Sequence, residues 1–448
     1  MHIENIESTS ATLQTLNYLP TLNLQTTIQG QIESVNTYVE PVKVSNEGYL
    51  NCQLMGVNAS SFGDQRFVTP TPICQFSFTY GLNSNYVVSD ATNAGSVAVA
   101  DRMAVVTSGT LTADVAYVRS RRFSDYRSGE GNLTRLTAKF SAGMSNNVKL
   151  AGIANAVYPS GDGFFFGYNE AAFGIMYLRA GVVEQWVAQA DWNGDTMLGT
   201  GGASNKSGLT LDPQNGNIYQ ITTAYLGFGN ICFYVFAFNS FILVHTLRFA
   251  NVSAQTNMGN PSMYVVWQSY NTGATAAPNV VYGASAAMFT DGAIASTGAK
   301  YSRAAATAAL TTSPKTIITL RNNAAINGVA NRSTITIDEI NFYAIDNSVS
   351  TNNNAVILYA IYNPTIAGGT YVDIDSVNSI TSYNTTNTYS GGTTLLTYTS
   401  CFTSSFSVDL SRANLHLNVG DVLVLALASQ TAAASCTAGV SVSWSENT

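Results

Sequence analysis

The stretch DGFFFGYNEAAFGIM, residues 162–176, decides how this chain folds. Aromatic residues and glycines crowd it, with a polar Asn169–Glu170 step in the middle. It is either two core strands and their turn, or an aromatic platform displayed on a loop. Strand alternation puts Phe164, Phe166 and Tyr168 on one face and Phe165 on the other, with Gly167 beside it. After the turn, Phe173, Ile175 and Tyr177 share a face opposite Gly174 and Met176. Large residues on matching faces are what a packed hairpin needs, and a platform has no need of Phe165 and Met176 on the second face. The stretch therefore reads as the core hairpin of a sandwich. Glu170 lacks the easy positive φ of glycine, so a turn longer than two residues is expected. Any ligand contact here would fall to Asn169 and Glu170 rather than to the phenylalanines.

The composition agrees with strands. The chain has 448 residues, 46% apolar and 11% aromatic, but only 10% charged, against a usual quarter for soluble globular proteins. Its polar share is Thr, Ser, Asn and Gly, which suits pleated surfaces and tight turns. The net charge of −7 provides no field to gather nucleic acid. Arg119, Arg121, Arg122, Arg127, Arg135 and Lys139 are nevertheless clustered. Without interleaved stacking aromatics they read as a solvated face or salt-bridge partners. Five cysteines in no CxxC pair read as reduced thiols.

Along the chain, residues 1–75 read as an amino-terminal arm, 76–298 as a central β-sandwich, and 299–448 as a second sandwich or jelly roll. The fold class is thus all-β, with tandem sandwich domains. In the arm, TLQTLNYLPTLNLQT suggests a short helix ending at Leu19 before Pro20, and VTPTPIC (68–74) a proline-punctuated link. MHIENIESTSATLQTL has neither a basic nor an apolar leader region, so no secretory signal is expected. ICFYVFAFNSFILVHTLRF (231–249) is too interrupted by Asn239, Ser240 and His245 for a membrane span. It reads as a hairpin turning at Asn239–Ser240, with both faces buried. The Ala/Thr/Ser-rich segment 296–314 reads as the link between sandwiches.

Catalytic patterns are sparse. His2, His245 and His416 are far apart, and no nucleophile elbow or phosphate loop accompanies them. His245 reads as a core or interface histidine. In DWNGD (191–195), Asp191, Asn193 and Asp195 alternate as at the start of a calcium loop. The glycine comes too early and no distal Glu completes the loop, so a turn is the reading and calcium a minor candidate. No other metal and no cofactor is indicated, and no pattern marks a pair of carboxylates for glycoside hydrolysis.

Taken in order, DGFFFGYNEAAFGIM, WNGDTMLGTGGASNKSGLTLDPQNGNIYQI, YLGFGNICFYV and LVHTLRFAN resemble a group of virion proteins of large DNA viruses and tailed phages, known as capsid-associated, fibre or tail proteins. AVADRMAVVTSGT and YRSGEGNLTRLTAKFSAG upstream are similar to the same group, as are TIITLRNN, NRSTITI, GDVLVLAL and VSVSWSE downstream. The likeness covers roughly residues 60–448 and departs at Asn169–Glu170, where the group usually has Asn-Gly. It implies a non-enzymatic component of a virus particle (capsid, vertex or penton, or tail), located in the virion. Its partners would be copies of itself and other virion proteins. It supplies no catalytic residues. The alternative is a receptor- or carbohydrate-binding fibre module that meets a host glycan through loop aromatics such as Trp186 and Trp192. Neither reading involves direct nucleic-acid binding.

Overall fold

The computed structural model describes residues 70–448, apart from 125–128, 293–297, 347–354, 402–403, 411–414, 431–435 and 447–448. The helix expected up to Leu19, Arg127 and most of the amino-terminal arm lie outside the described residues. Within them nearly every element is a strand, with one 3-10 turn at Gln189–Asp191. The expected all-β fold of tandem sandwiches is what the chain adopts.

The first sandwich pairs a nine-stranded with a seven-stranded antiparallel sheet. The seven-stranded sheet runs Val182–Ala188, Ala172–Arg179, Gly163–Asn169, Asn147–Ala154, Tyr264–Asn271, Val115–Ser120, Val87–Thr92. The nine-stranded sheet is centred on Asn132–Phe140 and ends in the hairpin Ile231–Ala237 and Ser240–Leu247. The second sandwich pairs a five-stranded with a six-stranded sheet. Each sandwich has its own core. Trp267 lies in the first, and its indole donates to the Thr137 carbonyl at 2.9 Å. Trp444 lies in the second, against Tyr301. The two sandwiches also touch: Arg121 pairs with Asp421 at 3.0 Å, and the Arg332 guanidinium lies 5.4 Å from the Phe123 ring centre.

The opening hairpin behaves as its alternation demands. Phe164, Phe166, Tyr168, Phe173, Ile175 and Tyr177 enter the main core, while Phe165 and Met176 join a second cluster on the opposite face of the sheet. Its turn is shorter than expected, because Asn169 pairs directly with Ala172 and leaves only two residues between. Glu170 adopts φ 56°. A left-handed non-glycine costs about 1 kcal/mol. Here the Glu170 N–H donates to the Asn147 carbonyl at 2.9 Å and the Glu170 carbonyl accepts the Met144 N–H at 3.1 Å. These bonds from the neighbouring strand hold the tight turn.

Three other expectations change. The 231–247 hairpin turns at Phe238–Asn239, φ 49° and 59°, one residue earlier than expected. Two consecutive left-handed residues give the twist that paired strands prefer. Only one face of the hairpin, Ile231, Phe233 and Val235, is buried, because no layer covers its other side among the described residues. Thr71–Ser77, overlapping the supposed proline link, is a strand on Ser285–Thr290, with a register shift after Pro72. Ala299–Thr307, inside the second supposed link, is an edge strand on Cys436–Glu446. Edge strands need fewer large side chains, so composition hid both.

Candidate binding surfaces

The sequence-derived site residues do not converge. Glu170 is exposed at the hairpin turn, and Asn169 is half-buried beside it. Trp186 pairs in register with Met176, four residues down the next strand from Ala172, which is about 13 Å at strand rise. Its ring packs on the second-face cluster instead of standing in solvent. Trp192 is 4% exposed and edge-on to Phe166 and Phe173 in the main core, so it is no surface contact.

The calcium candidate is also a structural device. Asn193 faces the outer edge of strand Ser240–Leu247. Its amide donates to the Thr246 carbonyl at 2.8 Å and accepts the Thr246 N–H at 2.8 Å. The Gly194 and Asp195 N–H groups donate to Val244 and Leu243 at 2.9 and 3.0 Å. A Cβ on Gly194 would stand 2.5 Å from the Leu243 carbonyl oxygen, so this approach requires glycine. The buried Asp195 carboxylate accepts from Met197 N, Asn205 Nδ2 and Ser207 N at 2.9, 2.7 and 2.7 Å. It thereby pins the Gly-rich 198–208 loop. DWNGD caps a sheet edge that would otherwise be open, and the Asn193 and Asp195 side chains are engaged in these hydrogen bonds. Among the described residues no group of three or more His, Cys, Asp or Glu could hold a metal.

The other buried carboxylates follow the same pattern, which the sequence did not reveal. Asp162 accepts from Ala180 N, Asn155 Nδ2 and Gly259 N, each at 2.8 Å. Asp421 accepts from Arg121, Asn363, Asn418 and the Tyr362 hydroxyl. Glu446 accepts from Ser379, Ile380, Thr381 and Trp444. Such acceptors tie loops to strands. Buried Lys149, its pKa lowered to about 8 by desolvation, is occupied too. Its ammonium donates to Ser141 Oγ, the Ala142 carbonyl and Asn279 Oδ1. The basic residues are likewise engaged: Arg119 stacks on Tyr264 at 4.6 Å, Arg135 bonds Gln220, and Lys139 lies over Tyr282. Cys74 and Cys232 are free thiols, and Cys52 lies outside the described residues.

His245 is buried, and its Nδ1 accepts the Asn193 N–H at 3.2 Å. Burial lowers its pKa to about 4, and burial together with the charge of Arg122 lowers that of His416 to about 3. The unfolded chain takes up both protons near pH 6.5, whereas the folded protein does not. Stability is therefore intact above pH 6.5 and falls as pH drops toward 4. The melting temperature should decline across this window, and less steeply in His245→Gln.

Two surface features remain unassigned to packing. One is the outer edge of Thr393–Cys401, the last strand of the six-stranded sheet. This nine-residue strand carries no charged side chain and is exposed at Leu395, Thr397 and Thr399. Three other edges are blunted: Ser240–Leu247 by DWNGD, Val182–Ala188 by Glu184 and a register shift, Ala299–Thr307 by Lys300 and Arg303. The other feature is a groove of about 320 Å³ on the outer face of the five-stranded sheet, around Asn341, Tyr343, Ser405 and Ser441. No helix among the described residues is long and apolar enough to cross a membrane.

No family model and no curated protein matches this chain. Solved structures match over about half of it. One belongs to work on endo-acting O-glycanases with which gut bacteria initiate mucin breakdown (8% identity, TM-score 0.34, covering 49% of this chain and 99% of that one). Another is a legume lectin-like domain from Entamoeba histolytica (10%, TM-score 0.30, 48% and 95%). A third is a beta-1,3-glucanase from Mycobacterium marinum (9%, TM-score 0.32, 48% and 98%). At these values the likeness concerns the β-sandwich fold alone.

Proposed function

We propose that this protein is a non-enzymatic structural component of a virus particle, located in the virion. It would assemble with copies of itself and with other particle proteins as a capsid, vertex or tail-associated subunit. The observation that carries this reading is the outer edge of Thr393–Thr399, uncharged and lying at the end of the six-stranded sheet, with a strand beside it on one side among the described residues. The outward-facing backbone N–H and C=O groups of Thr393–Thr399 can extend the sheet across a subunit boundary. The occupied state of the buried carboxylates and Lys149 supports a non-enzymatic role, because their hydrogen-bonding capacity is spent on loops. Light scattering at rising concentration should show a homo-oligomer. Thr397→Lys, on the exposed face of the edge, should shift it toward monomer without lowering the melting temperature. A wild-type monomer at high concentration would overturn the reading.

A second reading, attachment to a host glycan, is favoured by the groove beside Tyr343. It is compatible with the first, since one chain can both assemble and attach.

A further inference from the structure

We infer that the groove on the outer face of the five-stranded sheet is a binding site for a neutral sugar ring. The inference goes beyond the assembly reading and stands even if the protein is monomeric. It begins from register. Ala304, Ser441, Asn341 and Ser407 lie opposite one another on successive strands, and so do Ala306, Gly439, Tyr343 and Ser405 in the adjacent row. Direct cross-strand neighbours share a face, so the two rows form one outward surface.

Gly439 sets the shape of that surface. A Cβ there would stand 2.6 Å from Cε1 and 2.9 Å from Cζ of Tyr343. The tyrosine ring is therefore laid down across the glycine backbone, where any larger residue would lift it. One ring face is used by the sheet, and the side chain remains 36% exposed. Beside it, the small Ala304 and Ala306 leave the depression of about 320 Å³, at the lower end of the size range of small-ligand sites, roughly 300–1,000 Å³. Asn341, Ser405 and Ser441 line the same groove with polar side chains.

This combination selects the ligand class. A flat aromatic face suits the C–H face of a pyranose, while an amide and two hydroxyls at its rim match equatorial hydroxyls that both donate and accept. Among the described residues no cation lines the groove, and Glu339 stands one row beyond Asn341, accepting from the Ser407 hydroxyl. An anionic sugar would meet that carboxylate with no compensating charge, so the site favours neutral hexoses and their N-acetyl derivatives. A protein partner would need about 800 Å² of flat contact, far more than a one-ring depression offers.

The test is saturation-transfer NMR with methyl glycosides of glucose, galactose, mannose and N-acetylglucosamine, run on the full chain. At least one should bind in the millimolar range. Tyr343→Ala should weaken it by about tenfold or more, Tyr343→Phe should retain it, and Asn341→Ala should weaken it with the ring intact. Melting temperatures confirm that each variant is folded. Absence of transfer to every sugar would overturn the inference, and so would binding that neither Tyr343→Ala nor Asn341→Ala weakens. The same titration on Thr397→Lys separates this inference from assembly, since sugar binding should persist whether or not the oligomer does.

Discussion

Phe166→Ala should destabilise the first sandwich by about 4 kcal/mol, at the upper end of single-residue effects. Phe166 is fully buried, with Tyr219, Phe233 and Trp192 around it at ring-centre distances of 4.5, 5.3 and 6.1 Å. These rings come from three separate segments and cannot collapse into the space together, so most of the cavity persists. In a unit of this size the melting temperature of the first transition should fall by roughly 10 °C. Phe165→Ala, from the opposite face of the same strand, should act in the same direction. Phe165 is also fully buried, within a smaller cluster that includes Met176 and Leu178. Calorimetry on both variants checks this. If Phe165→Ala were neutral while attachment to a host surface was lost, that phenylalanine would be a contact residue and not core.

Glu446→Ala should be equally costly, and its effect should fall on the second sandwich. The fully buried carboxylate accepts the Ser379 hydroxyl at 2.8 Å, the Ile380 N–H at 2.8 Å, the Trp444 indole N–H at 2.9 Å and the Thr381 hydroxyl. Removing it leaves several donors buried without an acceptor, each at about 1–3 kcal/mol, partly relieved by relaxation. A net loss of about 4 kcal/mol is expected. Glu446→Gln keeps one carbonyl oxygen but turns an NH₂ toward remaining donors, so it should lose less than the alanine variant. The discriminating measurement is hydrogen exchange. Protection should fall in strands such as Lys315–Asn322 and Val422–Ser429, while Gly163–Asn169 stays protected. Uniform loss in both sandwiches would show instead that the Arg121–Asp421 contact makes them one cooperative unit.

Much of the fold was legible because strand alternation is a local property. The period-two pattern of Gly163–Asn169 and Ala172–Arg179 assigned the large side chains from Phe164 to Tyr177 to the faces they occupy. It failed where strands lie at edges: Thr71–Ser77 and Ala299–Thr307 bury little, so prolines and alanines there resemble linkers. The turn at Glu170 was misjudged for a different reason. Intrinsic φ preference argued for a longer loop, and hydrogen bonds to Asn147 and Met144, distant from the turn's own residues, outweighed it.

The candidate sites were less legible. Trp192 looked like a loop aromatic because its neighbours are polar, yet the chain turns at Gln189–Asp191 and directs it into the core. Asp191, Asn193 and Asp195 had ligand-like spacing, but the partner of that segment is the edge of Ser240–Leu247, some fifty residues away in sequence. The Tyr343 groove had one usable signal, a glycine within an otherwise regular strand, which often marks a close approach.

By itself the sequence determined that this protein is built of strands, which residues face inward along them, and where its principal hairpin lies. Alternation and turn chemistry act over a few residues and need no knowledge of neighbours. Only the tertiary structure decided which edges are capped and which are open, how the buried acids are satisfied, and that Tyr343 lies across Gly439. Those outcomes depend on strand register between distant segments, and register is set when whole sheets pack.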